Sequence, residues 1–290
     1  MEDIVVIVGP TGVGKTKLSV ELAKKINAEI INADSMQVYK DLNIGTAKIK
    51  EEEKEKIPHH LFDIKEVNEL YTIYDYQKDC RNKITEILNK GKKVILVGGS
   101  GLYIRAALYD YNLQEETKQN TFDNLSNEEL MKQVLEIDSN TEIHINNRKR
   151  LVRFLNKTLN NEEITTNSKP IYKFKIIGLT TNRENLYEII NTRVDKMKEE
   201  GLVEEVQKFY NKNIFSKAIT TGIGYKELYK YFSGEISLEE ALELIKRNSR
   251  RYAKRQYTFF NNQFNVKWFE TNYKNFDITV KEVYNYLKER

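Results

Sequence analysis

The sequence feature that most constrains the fold is GPTGVGKT at residues 9–16, which directly follows the apolar run Ile4–Val8 and opens the helical pattern Lys15–Ile26. The spacing of its glycines and of Lys-Thr matches the phosphate-binding P-loop, which requires that strand and helix context. Backbone N–H groups freed by the glycines wrap phosphate oxygens, and the helix N-terminus favours negative charge. An accidental glycine-rich turn would not account for the strand and the helix. We predict a phosphate site formed by Gly9, Pro10, Thr11, Gly12, Val13, Gly14, Lys15 and Thr16.

Further strand-like runs alternate with helical patterns along the chain. Apolar runs at 29–32, 94–97, 173–179 and 266–269, with a helical pattern at 74–89, predict a parallel sheet covered on both faces. Residues 112–169 are richer in Asn, Glu, Lys and Thr, and they contain two helical patterns, the first preceded by a capping box of Ser126 and Glu129. The predicted fold is α/β, a P-loop NTPase-like core with a parallel sheet flanked by helices, plus a small helical insertion. The core comprises 1–111 and 170–290, and the insertion 112–169.

Composition sets limits on the class of protein. Of 290 residues, 40% are hydrophobic and 31% are charged, which is typical of a globular protein, and the formal net charge of +4 is only a weak sign of an anionic partner. The single cysteine, Cys80, excludes an internal disulfide. We find neither a basic-then-apolar leader nor an apolar run near the ~20 residues of a membrane span, so we expect a cytoplasmic protein without a membrane partner.

The position of the acidic residue distinguishes this chain from ordinary nucleotide hydrolases. Those enzymes end another core strand in an acidic residue that helps to hold Mg²⁺, but here the run 94–97 ends in Gly-Gly-Ser-Gly. A run that would read guanine, Asn-Lys-x-Asp, is also missing from the sequence. The acid, Asp34, follows the second strand, and the carboxyl ends of parallel strands meet at one edge. Asp34 is therefore a candidate proton acceptor beside the P-loop, the alternative being an ordinary turn or helix-cap aspartate.

An ordered set of motifs resembles the tRNA isopentenyltransferase family, the bacterial tRNA dimethylallyltransferases. After the P-loop come DSMQVY (34–39), IGTAK (44–48), PHHL (58–61), GGSGLY (98–103), RLVRFL (150–155), NTRVDKM (191–197), GIGYKE (222–227) and RRYAKRQYTFF (250–260). The resemblance spans nearly the whole chain, and DSMQVY and RRYAKRQYTFF are more specific than the P-loop alone.

The resemblance implies transfer of a dimethylallyl group from dimethylallyl diphosphate to N6 of adenine 37, next to the tRNA anticodon, with release of pyrophosphate. It assigns Asp34 as the base and places Thr11 near the reacting centre. Lys15 and Arg193 would hold the pyrophosphate, and Thr16 would hold Mg²⁺. The P-loop would then grip a leaving group, so the acid of a hydrolase is dispensable.

The RNA side of the reaction requires a basic surface. The helical pattern after Ser237 carries six cations at 246–255, and the aromatic residues Tyr252, Tyr257, Phe259 and Phe260 are interleaved with or follow them, as expected for a surface that contacts phosphates and stacked bases. A solvated cationic face is the alternative. Ala241, Ile245, Tyr252 and Gln256 fall on the other half of this helix, which is partly apolar. The predicted tRNA contacts are Asp34, Ser35, Met36, Gln37, Ser100, Lys149, Arg150, Arg153, Tyr225, Lys226, Arg251, Lys254, Arg255 and Gln256, with Tyr225 and Lys226 assigned by the resemblance only.

Three departures from the family pattern bear on these contacts. Ser100 stands where the family usually has threonine, Phe259 stands where it usually has tryptophan, and the insertion is shorter than usual. Ser100 keeps a hydroxyl and Phe259 keeps an aromatic ring, so the resemblance still implies the activity.

Other functions remain open at this point. A P-loop kinase would share the loop and the sheet, a prenyltransferase for free AMP-type nucleotides would not need the insertion, and a non-catalytic RNA-binding module would leave Asp34 without a purpose. Whether ATP binds is also open. Adjacent His59 and His60 do not form a plausible metal site, since neighbouring side chains rarely converge on one ion. We expect a monomer that acts on the tRNA anticodon loop.

Overall fold

The fold is known from a computed structural model that describes residues 1–111, 113, 122–160 and 169–289. The chain divides into two compact units, one formed by Met1–Tyr109 with Pro170–Arg290 and the other by Asp110–Lys169. The first unit is therefore assembled from two separated stretches of sequence.

Six parallel strands of the described chain form one sheet in the first unit, in the order β3-β2-β4-β1-β5-β6. They are β1 (Ile4–Val8), β2 (Ala28–Asn32), β3 (His59–His60), β4 (Lys93–Val97), β5 (Phe174–Thr180) and β6 (Lys267–Glu270). The predicted α/β class with a P-loop NTPase-like core is confirmed. The pattern did not reveal β3, because two histidines carry no strand signal of their own.

The burial of strand β1 explains why the sheet is parallel and lies between two layers of helices. All five of its residues are buried, and they alternate between two apolar layers: Ile4, Val6 and Val8 pack into one, Val5 and Ile7 into the other. A strand that is apolar on both faces is stable only where helices cover both sides of the sheet.

Eleven α-helices lie within the described residues: α1 (Lys15–Ile26), α2 (Ile73–Asn89), α3 (Gly101–Leu108), α4 (Asn127–Ile137), α5 (Arg148–Leu159), α6 (Arg183–Glu199), α7 (Leu202–Asn211), α8 (Lys217–Thr221), α9 (Tyr225–Phe232), α10 (Leu238–Gln263) and α11 (Phe276–Lys288). Helix α10 is the longest at 26 residues, and the reciprocal bonds of Ser237 and Glu240 cap its start. In the described part of the chain, no helix has both the length and the apolarity needed to cross a membrane.

The second unit has its own small core between α4 and α5. Leu130 and Val134 of α4 pack with Leu151, Phe154 and Leu155 of α5. The predicted capping box is present, since Glu129 N–H donates to Ser126 Oγ at 3.2 Å and Ser126 N–H to Glu129 Oε2 at 2.7 Å. The opposite side of α5 exposes three cations, Lys149, Arg150 and Arg153. The predicted insertion, 112–169, falls inside this unit, and residues 112, 114–121 and 161–168 lie outside the described residues.

Candidate active site

Three neighbouring strands, β1, β2 and β4, end at the same edge of the sheet, and hydrogen bonds join the segments that follow β2 and β4. Ala33, after β2, donates its N–H to Val97 O at 2.8 Å and accepts the N–H of Ser100 at 3.1 Å. The hydroxyl of Ser100 accepts the N–H of Ser35 at 3.0 Å. The P-loop follows β1, which pairs with β4. The predicted P-loop, the Asp34 segment and Ser100 therefore lie at the same edge, as expected for the carboxyl ends of parallel strands.

The P-loop is closed around Lys15. The ammonium group of Lys15 donates to Pro10 O at 2.7 Å. Gly14 starts α1 with φ of 90°, a left-handed conformation, and a Cβ at this position would come within 2.6 Å of the Phe276 ring. Thr271, which follows β6, stabilises the loop, since its hydroxyl donates to Val13 O at 2.9 Å. The C-terminal segment thus holds the loop in shape.

Lys15, Arg193 and Asp34 form one electrostatic group. The pKa of Lys15 is lowered to about 8, chiefly by burial and in part by the positive charge of Arg193, while the carboxylate of Asp34 opposes the shift. Burial also lowers the pKa of Arg193, and Asp34 and Glu200 oppose that shift. Two cations that are held in a partly desolvated pocket favour a compact anion, because an anion offsets both the burial and their mutual repulsion.

Asp34 is oriented by its local backbone. Its Oδ1 accepts the N–H of Met36 at 2.9 Å, so the turn role that was considered as an alternative is present. The buried amide of Asn32 accepts Asp34 N–H at 2.9 Å and donates to Asp34 O and to Leu61 O, both at 3.0 Å. The sequence analysis missed Asn32, although a polar residue that ends a buried strand is a signal for such a role. The bond from Met36 N–H engages only one carboxylate oxygen of Asp34. The carboxylate also interacts electrostatically with Lys15 and Arg193.

Helix α10 contributes two residues to the same edge. Gln256 is 6% exposed, and its Nε2 donates to Gly99 O at 3.1 Å. Burial, with a further contribution from the Asp34 carboxylate, raises the pKa of Tyr252 to about 12, and Ser100, Arg255 and Gln256 oppose the shift. Gln256 was predicted as a tRNA contact, and the structure places it under the loop that carries Ser100. The link from Tyr252 to Asp34 was not predicted.

The exposed face of α10 is cationic. Arg251, Lys254 and Arg255 are exposed, and the guanidinium of Arg255 lies 5.5 Å from the centre of the Tyr252 ring. Lys246 instead pairs with Asp195 at 2.7 Å, so it is part of an ion pair. We call Arg251, Lys254 and Arg255 the basic face.

The expectation that the aromatic residues of α10 share this surface is wrong for Phe260. Phe260 is 0% exposed and packs in the core. Tyr257 is half-buried, its hydroxyl lying 2.7 Å from Thr180 Oγ1, and half-buried Phe259 packs against Gly101. Helical spacing alone did not distinguish aromatic residues that face inward from those on the cationic side.

Four further predicted RNA contacts, Met36, Gln37, Tyr225 and Lys226, lie in the first unit. Met36 and Gln37 are half-buried, and Gln37 Nε2 donates to Thr46 O at 3.0 Å. Lys226 is half-buried, with its ammonium 3.7 Å from Glu227. Tyr225 is 0% exposed, and its hydroxyl donates to Glu205 at 2.7 Å. Tyr225 thus offers no surface to a ligand in this structure and supports its neighbours instead.

The two adjacent histidines go to different partners. His59 Nδ1 lies 2.7 Å from Ile57 O, and His60 Nε2 lies 2.7 Å from Glu29 Oε2. Among the described residues, no group of three or more His, Cys, Asp or Glu side chains is arranged to hold a metal ion.

Comparison with known proteins agrees with this geometry. A sequence model of the IPP transferase family matches residues 37–263. A tRNA dimethylallyltransferase of Anoxybacillus flavithermus is 46% identical over 99% of this chain and 96% of its own length. The corresponding protein of Bacillus subtilis is 43% identical over 99% of this chain and 96% of its own length.

Solved structures show the same similarity. The crystal structure of the full-length tRNA isopentenylpyrophosphate transferase from Bacillus halodurans has a TM-score of 0.79 and 42% identity, covering 99% of this chain and 96% of that chain. A eukaryotic dimethylallyltransferase acting on tRNA has a TM-score of 0.80 and 28% identity, covering 99% of this chain and 80% of that chain. Since both the family model and these relatives cover most of its length, this chain belongs to the IPP transferase family.

Proposed function

We propose that the protein transfers a dimethylallyl group from dimethylallyl diphosphate to N6 of adenine 37 beside the tRNA anticodon, releasing pyrophosphate. The observation that carries this proposal is the grouping of one carboxylate, Asp34, with two partly desolvated cations, Lys15 and Arg193, at the P-loop. The family membership and the names of the relatives support the same reaction.

The cations act on the leaving group. As N6 forms its bond to the allylic carbon, the C–O bond breaks and its electron pair leaves with the diphosphate. Lys15, Arg193 and the N–H groups of the P-loop then stabilise the negative charge that develops on the diphosphate oxygens. Thr11, half-buried within the loop, is assigned to the neighbourhood of the reacting carbon.

Asp34 acts on the nucleophile. The N6 amine becomes acidic as it attacks, and a carboxylate within reach accepts its proton. Since Oδ1 is engaged by Met36 N–H, we assign the proton to Oδ2. A carboxylate would repel diphosphate directly, so its place in this pocket is better explained by the amine than by the donor. Ser35, Met36 and Gln37 follow Asp34 and are assigned to the adenine.

Mg²⁺ fits the residues that are present. This ion keeps several waters and commonly takes one or two protein oxygens together with substrate phosphates, so a full cage of protein ligands is unnecessary. Thr16 is exposed on the first turn of α1, directly after Lys15, and it would supply a hydroxyl ligand. When bound, the ion neutralises charge on the diphosphate as it leaves.

Two cationic surfaces are assigned to the tRNA. A stacked anticodon loop hides N6, so the base must be extruded while the backbone is held. The basic face of α10 is assigned to the phosphates near the site. Lys149, Arg150 and Arg153 of the second unit provide a further set of contacts, and Ser100 and Lys226 are assigned to the nucleotides near adenine 37. Because Gln256 and Tyr225 are buried, we assign them to supporting the RNA-contacting segments.

The proposed substrate bears on the location of the enzyme and on its choice of acceptor. We propose a cytoplasmic enzyme, since tRNA modification takes place where tRNA is present. We also propose that the enzyme is a monomer. The basic face favours polymeric RNA over a free nucleotide such as AMP.

The test is an incubation with dimethylallyl diphosphate, Mg²⁺ and either tRNA or AMP, followed by nucleoside analysis. We expect prenylated adenosine from tRNA, pyrophosphate release that depends on Mg²⁺, and negligible ATP hydrolysis. Prenylated AMP without prenylated tRNA would identify the nucleotide prenyltransferase. ATP turnover that ignores tRNA would favour the kinase or hydrolase, and tRNA binding without any product would favour the non-catalytic module.

A further inference from the structure

Glu205 is a buried carboxylate to which the reaction above gives no role. It lies on α7 and is 8% exposed. Three successive backbone N–H groups donate to it: Asn43 at 3.1 Å and Ile44 at 2.7 Å to Oε2, and Gly45 at 3.0 Å to Oε1. The hydroxyl of Tyr225 donates to Oε1 at 2.7 Å. Since burying a carboxylate is costly without strong partners, these four bonds must hold the segment firmly.

The segment around residues 43–45 is built to fit this carboxylate. A Cβ at Gly45 would come within 2.7 Å of the Tyr225 ring, so only glycine allows the backbone to approach this closely. Thr46 continues the turn, and its hydroxyl donates to Leu42 O at 2.6 Å. We call residues 43–46 the glutamate-bound turn.

The glutamate-bound turn reaches the assigned adenine site through one side chain. Thr46 O accepts the Nε2 hydrogen of Gln37 at 3.0 Å. This bond determines which end of the Gln37 amide is held by the protein and which end is left for a ligand. Met36, which is also assigned to the adenine, packs against the segment that precedes α9. A Cβ on Gly222 in that segment would come within 2.6 Å of Met36 Cε.

We propose that Glu205 is a positioning residue for substrate selection: it fixes the glutamate-bound turn, and through Thr46 it fixes the amide of Gln37 that contacts adenine. This inference rests on the proposed function. Tyr225 serves in the same assembly by holding Glu205 and supporting Gly45. The negative charge matters as well as the shape, because three N–H groups converge on the carboxylate.

The test is Glu205→Gln, which keeps the side-chain size but replaces one acceptor oxygen with a donor. We expect kcat/KM for tRNA to fall by about tenfold to a hundredfold, mainly through KM, since displacement of a positioning group has effects of that size. The affinity for dimethylallyl diphosphate should change less than about twofold, because the side-chain hydrogen bonds described for this turn go to Glu205, Gln37 and Leu42, which lie outside the P-loop. Hydrogen exchange at the amides of 43–45 should accelerate.

A double-mutant cycle separates positioning from general stability. In a Gln37→Ala background, Glu205→Gln should cost less than about twofold in kcat/KM for tRNA, because its effect passes through Gln37. Tyr225→Phe removes a single donor, so it should give a smaller loss in the same direction and remain testable if Glu205→Gln does not fold. The matched control is Glu29→Gln, another buried carboxylate, which pairs with His60 and Lys92 at the opposite end of β2 and should lower stability without changing KM for tRNA.

The possible outcomes are distinct. Losses from Glu205→Gln and Gln37→Ala that multiply, or an equal loss in the affinity for the prenyl donor, would overturn the positioning role. Unchanged hydrogen exchange at 43–45 would overturn it as well. Wild-type protein that does not prenylate tRNA would contradict the proposed function, and it would be seen in the same assay before any variant is compared.

Discussion

The protein carries two groups of cations that differ in their exposure to solvent. Lys15 and Arg193 lie in a pocket where burial lowers the pKa of each and where one carboxylate, Asp34, stands beside them. Arg251, Lys254 and Arg255 lie on the exposed side of α10. The same charges are therefore used in two ways within one unit.

The difference indicates which anion each group receives. Desolvated cations interact strongly over short distances and are little affected by salt, which suits a small diphosphate that must be held while its charge changes. Exposed cations act on a long polyanion through many weak contacts, each of which releases counterions and depends on salt. We therefore assign the pocket to the proposed chemistry and the basic face to the proposed recognition of the RNA backbone.

The largest expected effect comes from the carboxylate in the pocket. Asp34→Asn keeps the shape and a hydrogen-bonding oxygen but loses most of the capacity to accept a proton. We expect kcat to fall by about a hundred- to ten-thousandfold, as for loss of a general base. Affinity for tRNA and for dimethylallyl diphosphate should change far less. Single-turnover prenylation beside equilibrium binding of each substrate provides the measurement.

Asp41→Asn is the control for that experiment, since Asp41 is exposed and has a left-handed backbone that asparagine also adopts. It should leave kcat unchanged. Near wild-type turnover of Asp34→Asn, or a defect that consists only of lost tRNA affinity, would show that Asp34 merely positions the RNA.

A smaller effect is expected at the basic face. Arg251→Glu with Lys254→Glu should weaken tRNA binding at about 0.1 M salt by roughly tenfold for each phosphate that the helix no longer binds. The log–log salt slope should become shallower by up to about one unit for each such phosphate. Binding of dimethylallyl diphosphate should stay near wild type, because these residues lie outside the pocket. Titrations of tRNA binding at several salt concentrations measure both quantities.

The control has the same change in net charge at two exposed lysines of other helices, Lys78→Glu with Lys281→Glu. If both double variants lose tRNA affinity equally, net charge alone explains the result. If neither loses affinity at low salt, the basic face is an ordinary solvated surface.

The smallest effect is a proton linked to donor binding. Lys15 has a pKa of about 8, below its usual value, so its ammonium form is lost as the pH rises through 8 in the free enzyme. A diphosphate favours the ammonium form, so binding above pH 8 should take up as much as about one proton, and affinity should fall by at most about tenfold for each pH unit. Calorimetry in two buffers of different ionisation enthalpy measures this uptake.

Lys15→Arg keeps the charge over the whole range and should remove the uptake, apart from any protons of the ligand itself. Uptake that is identical in the wild type and in Lys15→Arg would assign the proton to another group.

The sequence predicted the central framework because its signals are local. Strand β1 was found at its observed bounds, and the P-loop and Asp34 were placed at one edge from the rule for parallel strands. Arg193 required the family resemblance, because an arginine on a helix has no local sign of burial. What pattern reasoning missed depends on tertiary contacts. Glu205 meets residues 43–45 across some 160 positions of sequence, and Phe260 faces inward although it follows the cationic run of the same helix.

The order of the strands has a consequence for synthesis on the ribosome. β1 pairs with β4 on one side, but its other neighbour, β5, is made only after the insertion, and the Thr271 brace on Val13 follows later still. A growing chain therefore carries an open edge on its central strand for much of translation, a state that invites wrong pairing. We expect the P-loop to bind dimethylallyl diphosphate only when nearly the whole polypeptide has left the ribosome. Binding of this donor would therefore not stabilise incomplete chains.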